Sequence, residues 1–284
     1  MTLTDIPVDP TTATPADLPL SAPVNLRDLG GIPVAGGAVR EGFAVRADDL
    51  SIVTPGDADA LVENGLRAVI DLRSADEVGI TGRGPLGAQP TVTYHHVPFM
   101  ANIGQAADGA ADDAAHFPDG TPAADMIDQS RFGRLYLRMY SDAAPQIVTA
   151  LAIVAHAPGA VAFHCAAGQD RTGVLAAALL LTLGAEQDDI VTDYARTGAN
   201  SAAIMARISP MMQPLMRKFG LDLDEAARAA VRTEFSEAPM RELLGTLTER
   251  HGDPLAPLRA AGLTDGLVAR LRERALGPVE PAQA

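Results

Sequence analysis

The chain has 284 residues, 47% of them hydrophobic and 20% charged, with a formal net charge of −14. That length buries one large core or two modest ones. The acidic balance excludes a broad surface for nucleic acid or for anionic membranes. Lys218 is the single lysine, so basic charge is carried by arginine, and local arginine sites stay open.

Residues 1–21 are rich in Pro, Thr and Asp and read as a disordered tail. They lack the basic start and apolar run of a secretory signal. No stretch reaches some 18 uninterrupted apolar residues, so stable membrane insertion is not expected. A cytoplasmic location is the default expectation, with export by a route without a signal peptide left open. "GGAVREGFAVRADDLS" reads as short strands joined by a turn at Glu41-Gly42. "PGDADALVENG" follows as a short helix closed by Gly65. "LRAVIDL" predicts a strand covered on both faces, because Ala68, Val69 and Ile70 form a continuous apolar run. "TVTYHHV" predicts the next strand. Its tandem His95-His96 would point to opposite faces, so the pair is not expected to hold one metal ion.

Residues 101–124, rich in Ala, Asp and Gly, read as a mobile loop. A helix is predicted over Met126 to Tyr140. Another is predicted with Ser141 or Asp142 as its cap and Ile147, Val148, Leu151 and Val154 on its apolar face. "AVAFHC" predicts a strand, and "TGVLAAALLLTLG" a helix apolar all round and therefore buried. From "EQDDIVTDYA" onward the pattern is helical, with residues 277–284 left as a tail. Alternating strands and helices predict an α/β fold: a central, mostly parallel sheet flanked by helices, with a helical C-terminal third. No composition shift divides residues 22–276, which read as one domain.

The strand-to-helix junction "HCAAGQDRTG" holds the one cysteine of the chain, which rules out an intrachain disulfide framework. A glycine-bearing loop ahead of a helix N-terminus turns backbone N–H groups inward and makes an anion nest. Ala166, Ala167, Gly168, Gln169, Asp170 and Arg171 would line it. Gly168 allows a positive φ, and Arg171 brings a planar fork to two oxygens of a phosphate. The same field favours a Cys165 thiolate over a thiol of ordinary pKa about 8.5. Thr172 can hydrogen-bond that thiolate, and His164 reads as an orienting residue. The chemistry implied is phosphate monoester hydrolysis: Cys165 attacks phosphorus, and Arg171 and the loop amides stabilise the equatorial oxygens. A carboxylic acid protonates the leaving oxygen and then activates water. No metal or other cofactor is required.

"HCAAGQDRTG" is similar to the phosphate-binding loop of cysteine-dependent protein tyrosine phosphatases. With "NLRDLGG", "AVIDLRSADEV" and "DIVTDYARTGAN", the chain resembles the bacterial protein-tyrosine phosphatase B-like family, which includes secreted effectors. The resemblance covers about residue 22 to 275. It implies the phosphotyrosine protein phosphatase-like fold and phosphorylated protein substrates, with phosphoserine/threonine and phosphoinositides turned over by some members. The family usually carries lysine where this chain has Gln169, and loss of that charge weakens the phosphoinositide reading. The family also offers Asp71, in "IDLR", as a general acid, whereas myotubularin-like phosphatases carry an aspartate at the Asp170 position. Both stay open here, against a salt bridge of Asp71 to Arg73 or Arg171 and a loop-tightening hydrogen bond of Asp170.

Asn25, Arg27 and Asp28 are either a turn with a local ion pair or a brace beneath the loop. Arg73 is either a substrate-anion contact or a surface salt bridge. Met205, Met211, Met212 and Met216 lie with Ile204, Ile208, Leu215 and Phe219 in a segment read as a core helix kinked at Pro210 and Pro214, or as a lid over about residues 200–235, where the family has one. Two other function classes compete: a pseudophosphatase that binds phosphorylated partners without turnover, and rhodanese-like sulfur transfer, whose loop lacks this Cys-to-Arg spacing. The residues leave oligomeric state open.

Overall fold

A computed structural model describes residues 18–100, 132–218 and 235–277. The predicted loop at 101–124, the N-terminal part of the helix predicted from Met126, and Phe219 lie outside the described residues.

Five strands make one sheet in the order β1-β4-β7-β5-β6. They are β1 (Arg27–Asp28), β4 (Ala44–Ala47), β5 (Leu66–Asp71), β6 (Thr93–His96) and β7 (Ala160–His164). β4, β7, β5 and β6 run parallel, and only β1 is antiparallel, paired to β4. A separate hairpin pairs β2 (Pro33–Val34) with β3 (Gly37–Ala38). The α/β expectation holds, and the short strands around the Glu41-Gly42 turn divide between hairpin and main sheet.

β5 and β7 are buried on both faces, as their continuous apolar runs require. Ala68, Ile70, Val161 and Phe163 face the large core. Val69 and Ala162, one residue out of phase, face a smaller one with Leu50, Val53, Ala58 and Leu86. The larger core is covered by α3 (Gly133–Asp142), α4 (Ala144–His156), α5 (Asp170–Leu183), α6 (Gln187–Ala195), α8 (Ala238–His251), α9 (Ala256–Ala260) and α10 (Asp265–Leu276). The smaller is covered by α1 (Pro55–Glu63), which Thr54 caps and Pro55 opens.

α5 is buried almost throughout, as a helix apolar on every side must be, and Gly184 ends it at φ 85°. α4 departs from expectation at its start. Its cap is Ala143, not Ser141 or Asp142, because α3 runs on through Asp142 and Pro145 opens the next helix without a side-chain cap. α2 (Ala75–Thr81) carries a full capping box, Ser74 with Glu77. α7 (Ser201–Lys218) is one helix through Pro210 and Pro214. Ile204 and Ile208 pack it against Val24, Ile80 and Ala167. Among the described residues no helix is long and apolar enough to cross a membrane.

Candidate active site

β7 lies at the centre of the sheet, so its C-terminal end has a neighbour on each side. His164 is in register with Ala47 of β4 and with Asp71 of β5. Three strand ends therefore meet where the cysteine loop begins, as the crevice rule for parallel sheets requires. Cys165 sits at the floor, 1% exposed.

The loop's shape follows from where its carbonyls go. The Ala166 carbonyl accepts the Asp49 N–H at 3.0 Å. The Asn25 amide donates to Ala167 O and Gly168 O, each at 3.2 Å. Arg46 Nη2 adds a second donor to Gly168 O at 3.0 Å. The Gln169 carbonyl accepts the Gly173 N–H at 2.8 Å. Four consecutive carbonyls are thus drawn outward. The N–H groups of Ala166, Ala167 and Gly168 find no acceptor among the described residues. Buried N–H groups left without partners are a standing invitation to an anion. Gly168 has φ 69°, and a Cβ there would lie 2.5 Å from Ala47 O. Only glycine fits that bend.

Thr172, fully buried on the first turn of α5, donates its hydroxyl to Cys165 Sγ at 3.2 Å. Arg171 is gripped by Glu77 in a two-pronged pair, Nη1 to Oε2 at 2.5 Å and Nη2 to Oε1 at 2.8 Å. Glu77 Oε2 also accepts the Ser74 N–H at 2.8 Å. The capping box that starts α2 therefore also aims the loop arginine. Burial disfavours the Arg171 charge, but Glu77 outweighs it and raises the guanidinium above its ordinary value.

The two candidate acids sit in opposite surroundings. Asp71 is wholly buried, and Arg73 Nε and Nη2 hold its two oxygens at 2.9 and 2.6 Å, with the Tyr94 hydroxyl donating to one of them. Burial alone would raise its carboxyl. His164, Arg73 and Tyr94 together outweigh burial and hold it well below the usual carboxylate range. Asp170 is part-exposed and accepts the Tyr136 hydroxyl at 2.6 Å. Burial lifts its carboxyl above the ordinary value, against the opposing pull of Tyr136 and Arg171.

Arg73 makes the salt bridge to Asp71 that the sequence left open, and departs from the two other readings offered for it. It is 1% exposed, so it is no surface bridge, and its fork is spent on Asp71, Asp49, Ser51, Thr81 and the Gly82 carbonyl, so none is left for a substrate. The "NLRDLGG" block divides between its two readings. Asn25 braces the loop, and Arg27 holds Asn25 Oδ1 at 2.7 Å while pairing with Asp193 at 2.9 Å. Asp28 serves the turn, accepting the Gly30 and Gly42 N–H groups, both at 2.7 Å. His164 orients: its Nδ1 lies 3.1 Å from the Cys165 carbonyl and 3.3 Å from the Leu50 nitrogen. Gln169 is buried in the loop, its amide 3.5 Å from Asp170 Oδ1. His95 and His96 point to separate partners, Thr93 Oγ1 and the Arg73 carbonyl.

The sequence reading missed Glu77, Arg46, Asp193, Tyr136 and Arg207. Glu77 carried a signal in the S-x-x-E spacing of "SADE". Arg46 and Asp193 are mutual partners at 2.5 Å, both buried beneath the loop. Arg207 anchors α7 through Asp48 Oδ2 at 2.7 Å and the Asp49 carbonyl at 2.8 Å.

The tyrosine phosphatase family model matches residues 18–277, and the chain belongs to that family. It is a protein-tyrosine phosphatase of the bacterial PtpB-like kind. It is 28% identical to the triple specificity protein phosphatase PtpB of Mycobacterium tuberculosis, over 89% of this chain and 96% of that one. It is also 33% identical to a tyrosine-protein phosphatase of Nostoc commune, over 53% of this chain and 47% of the relative.

Proposed function

We propose that the chain hydrolyses protein phosphotyrosine through a phosphocysteine on Cys165, with Asp170 as general acid and then base. The observation that carries this reading is the outward capture of four loop carbonyls, which leaves inward N–H groups around a buried cysteine. Cys165 Sγ forms a bond to phosphorus as the ester oxygen leaves, and Asp170 gives that oxygen a proton. Arg171, aimed by Glu77, and the loop amides stabilise the three equatorial oxygens. In the second step water attacks phosphorus, Asp170 takes its proton, and the sulfur leaves as a thiolate that the Thr172 hydroxyl stabilises.

Asp170 is favoured over Asp71 because an acid must hold a proton at working pH. Burial favours that at Asp170, whereas His164, Arg73 and Tyr94 together hold Asp71 below the usual carboxylate range. Asp71 instead fixes Arg73, which fixes Asp49, whose N–H holds the Ala166 carbonyl. Helix α7 serves as a lid, with Ile204 and Ile208 against Ala167 of the loop. Phosphoserine and phosphothreonine fit the same chemistry. Phosphoinositides are a minor class, since Gln169 lacks the charge that a second phosphate would meet.

The test is hydrolysis of para-nitrophenyl phosphate, without metal and with reductant, by the parent and Cys165→Ser. Turnover by the parent alone supports the reading, and equal rates would sink it. Asp170→Ala should slow alkyl esters more than phenolic ones, because phenols leave more easily unprotonated. The same pattern in Asp71→Ala, and not in Asp170→Ala, would reverse the assignment.

A further inference from the structure

Two tyrosine hydroxyls are buried behind the loop, where phenylalanine would fill the same space without needing a partner. Tyr136 of α3 is wholly buried and Tyr194 of α6 nearly so, their rings edge-on at 6.0 Å between centroids. The Tyr136 hydroxyl has one proton and gives it to Asp170 Oδ1 at 2.6 Å. Tyr194, 2.9 Å from the Tyr136 oxygen, must then be the donor in that second bond. The three groups form a one-way chain of donors, from Tyr194 to Tyr136 to Asp170.

We propose that Tyr136, backed by Tyr194, is the positioning residue that orients Asp170 and stabilises its carboxylate form. The inference rests on Asp170 being the acid. As the phosphorus–oxygen bond breaks, the Asp170 proton passes to the departing oxygen. The charge left on the carboxylate is met by the Tyr136 hydroxyl, with no side chain having to move. When water attacks the phosphocysteine, its proton returns to Asp170, the phosphorus–sulfur bond breaks, and the electron pair stays on Cys165 Sγ. Tyr136 thereby fixes Oδ1 of that carboxyl.

Other groups act on Asp170. Arg171 adjoins it on α5, with Glu77 of α2 and Cys165 acting on that arginine, while Gln169 precedes it in the loop and Arg46 of β4 acts on Tyr194. Tyr136 supplies the hydrogen bond from α3, so its removal is readable against an otherwise unchanged set.

The experiment is the pH dependence of kcat on a phosphotyrosine peptide for the parent, Tyr136→Phe, Tyr194→Phe and Asp170→Asn. Without the donated bond the carboxylate is less favoured, so the alkaline limb should move to higher pH in Tyr136→Phe. Peptide turnover should fall about tenfold, as for a lost hydrogen bond to a charged group, and para-nitrophenyl phosphate turnover should fall less. Tyr194→Phe should move the limb the same way by a smaller amount. In Asp170→Asn the limb should be absent, and adding Tyr136→Phe should change nothing further. A limb that stays in place in Tyr136→Phe while Asp170→Asn abolishes it overturns this inference alone. A limb that survives in Asp170→Asn overturns the general-acid reading on which it rests. Should Tyr136→Phe fail to fold, an unmoved limb in Tyr194→Phe overturns the donor chain.

Discussion

Glu77→Gln is the most informative single change, because one carboxylate serves both the start of α2 and the aim of Arg171. The two-pronged pair at 2.5 and 2.8 Å joins side chains only 13% and 2% exposed, so solvent screens it little. Removing one partner of such a buried pair costs roughly 3–5 kcal/mol. Glutamine keeps one acceptor oxygen, but in either orientation its NH2 group faces an Arg171 nitrogen, and in one of them it faces the Ser74 N–H as well. The expected loss of stability is therefore nearer the lower bound, about 3 kcal/mol. Arg171 then keeps one anchor, and kcat/KM should fall by about 10- to 100-fold, or roughly 1.4–2.7 kcal/mol of transition-state stabilisation. Both effects are read by urea denaturation and by steady-state kinetics on para-nitrophenyl phosphate. The acid dependence has a definite sign. Burial works to raise the Glu77 carboxyl, but Arg171 and Ser74 outweigh burial and lower it. The pair's contribution is then complete above the unfolded glutamate value of about 4.3, and it is lost as pH falls through the lower folded value. The stability gap between parent and variant should close in that acid range. Parental kcat/KM together with parental stability at pH 7 would refute the claim that Glu77 aims Arg171.

Three further changes test the loop itself. Gly168→Ala places a side chain at φ 69° and a Cβ 2.5 Å from Ala47 O. The backbone penalty alone is roughly 1–2 kcal/mol, and turnover should fall at least about 100-fold; near-parental activity would mean the loop bends some other way. Asn25→Ala removes the amide shared by Ala167 O and Gly168 O and should weaken competitive inhibition by inorganic phosphate about tenfold. An unchanged inhibition constant would show that Arg46 and Asp49 suffice to hold the carbonyls. Gln169→Lys should raise hydrolysis of a phosphoinositide bisphosphate several-fold relative to a phosphotyrosine peptide, and an unchanged ratio would remove Gln169 from substrate selection.

Sequence reading reached the chemistry that lies in one contiguous run. Cys165, Gly168, Arg171 and Thr172 are close neighbours in the chain, and their geometry follows from a strand, a turn and a helix start. It reached the parallel sheet because β5 and β7 are apolar at every position that needs cover. It did not reach groups that matter only through distant partners. Arg46 lies in the short strand "AVRA", where a charge reads as facing water; Asp193, 147 residues on, and the Gly168 carbonyl keep it inside. Glu77 was legible as a helix cap, but its second partner lies 94 residues away. Tyr136 has no motif at all, since a buried tyrosine and a core phenylalanine leave the same apolar pattern. Arg73 was legible as a partner of Asp71, but nothing in "IDLRS" shows that four more acceptors converge on its guanidinium.

The bracing of the loop carbonyls also bears on how activity arises during folding. The nucleophile, arginine and helix form from one local stretch, but Asn25, Arg46 and Asp49 come from far earlier in the chain, with Asn25 separated from Gly168 by 143 residues. Loop closure over such separations is slow and comes late. A partly folded chain would carry every residue of the phosphatase motif before the distant groups that hold its loop carbonyls outward have arrived. Refolding followed by turnover should therefore lag refolding followed by helix content, so catalytic competence marks completion of the native sheet.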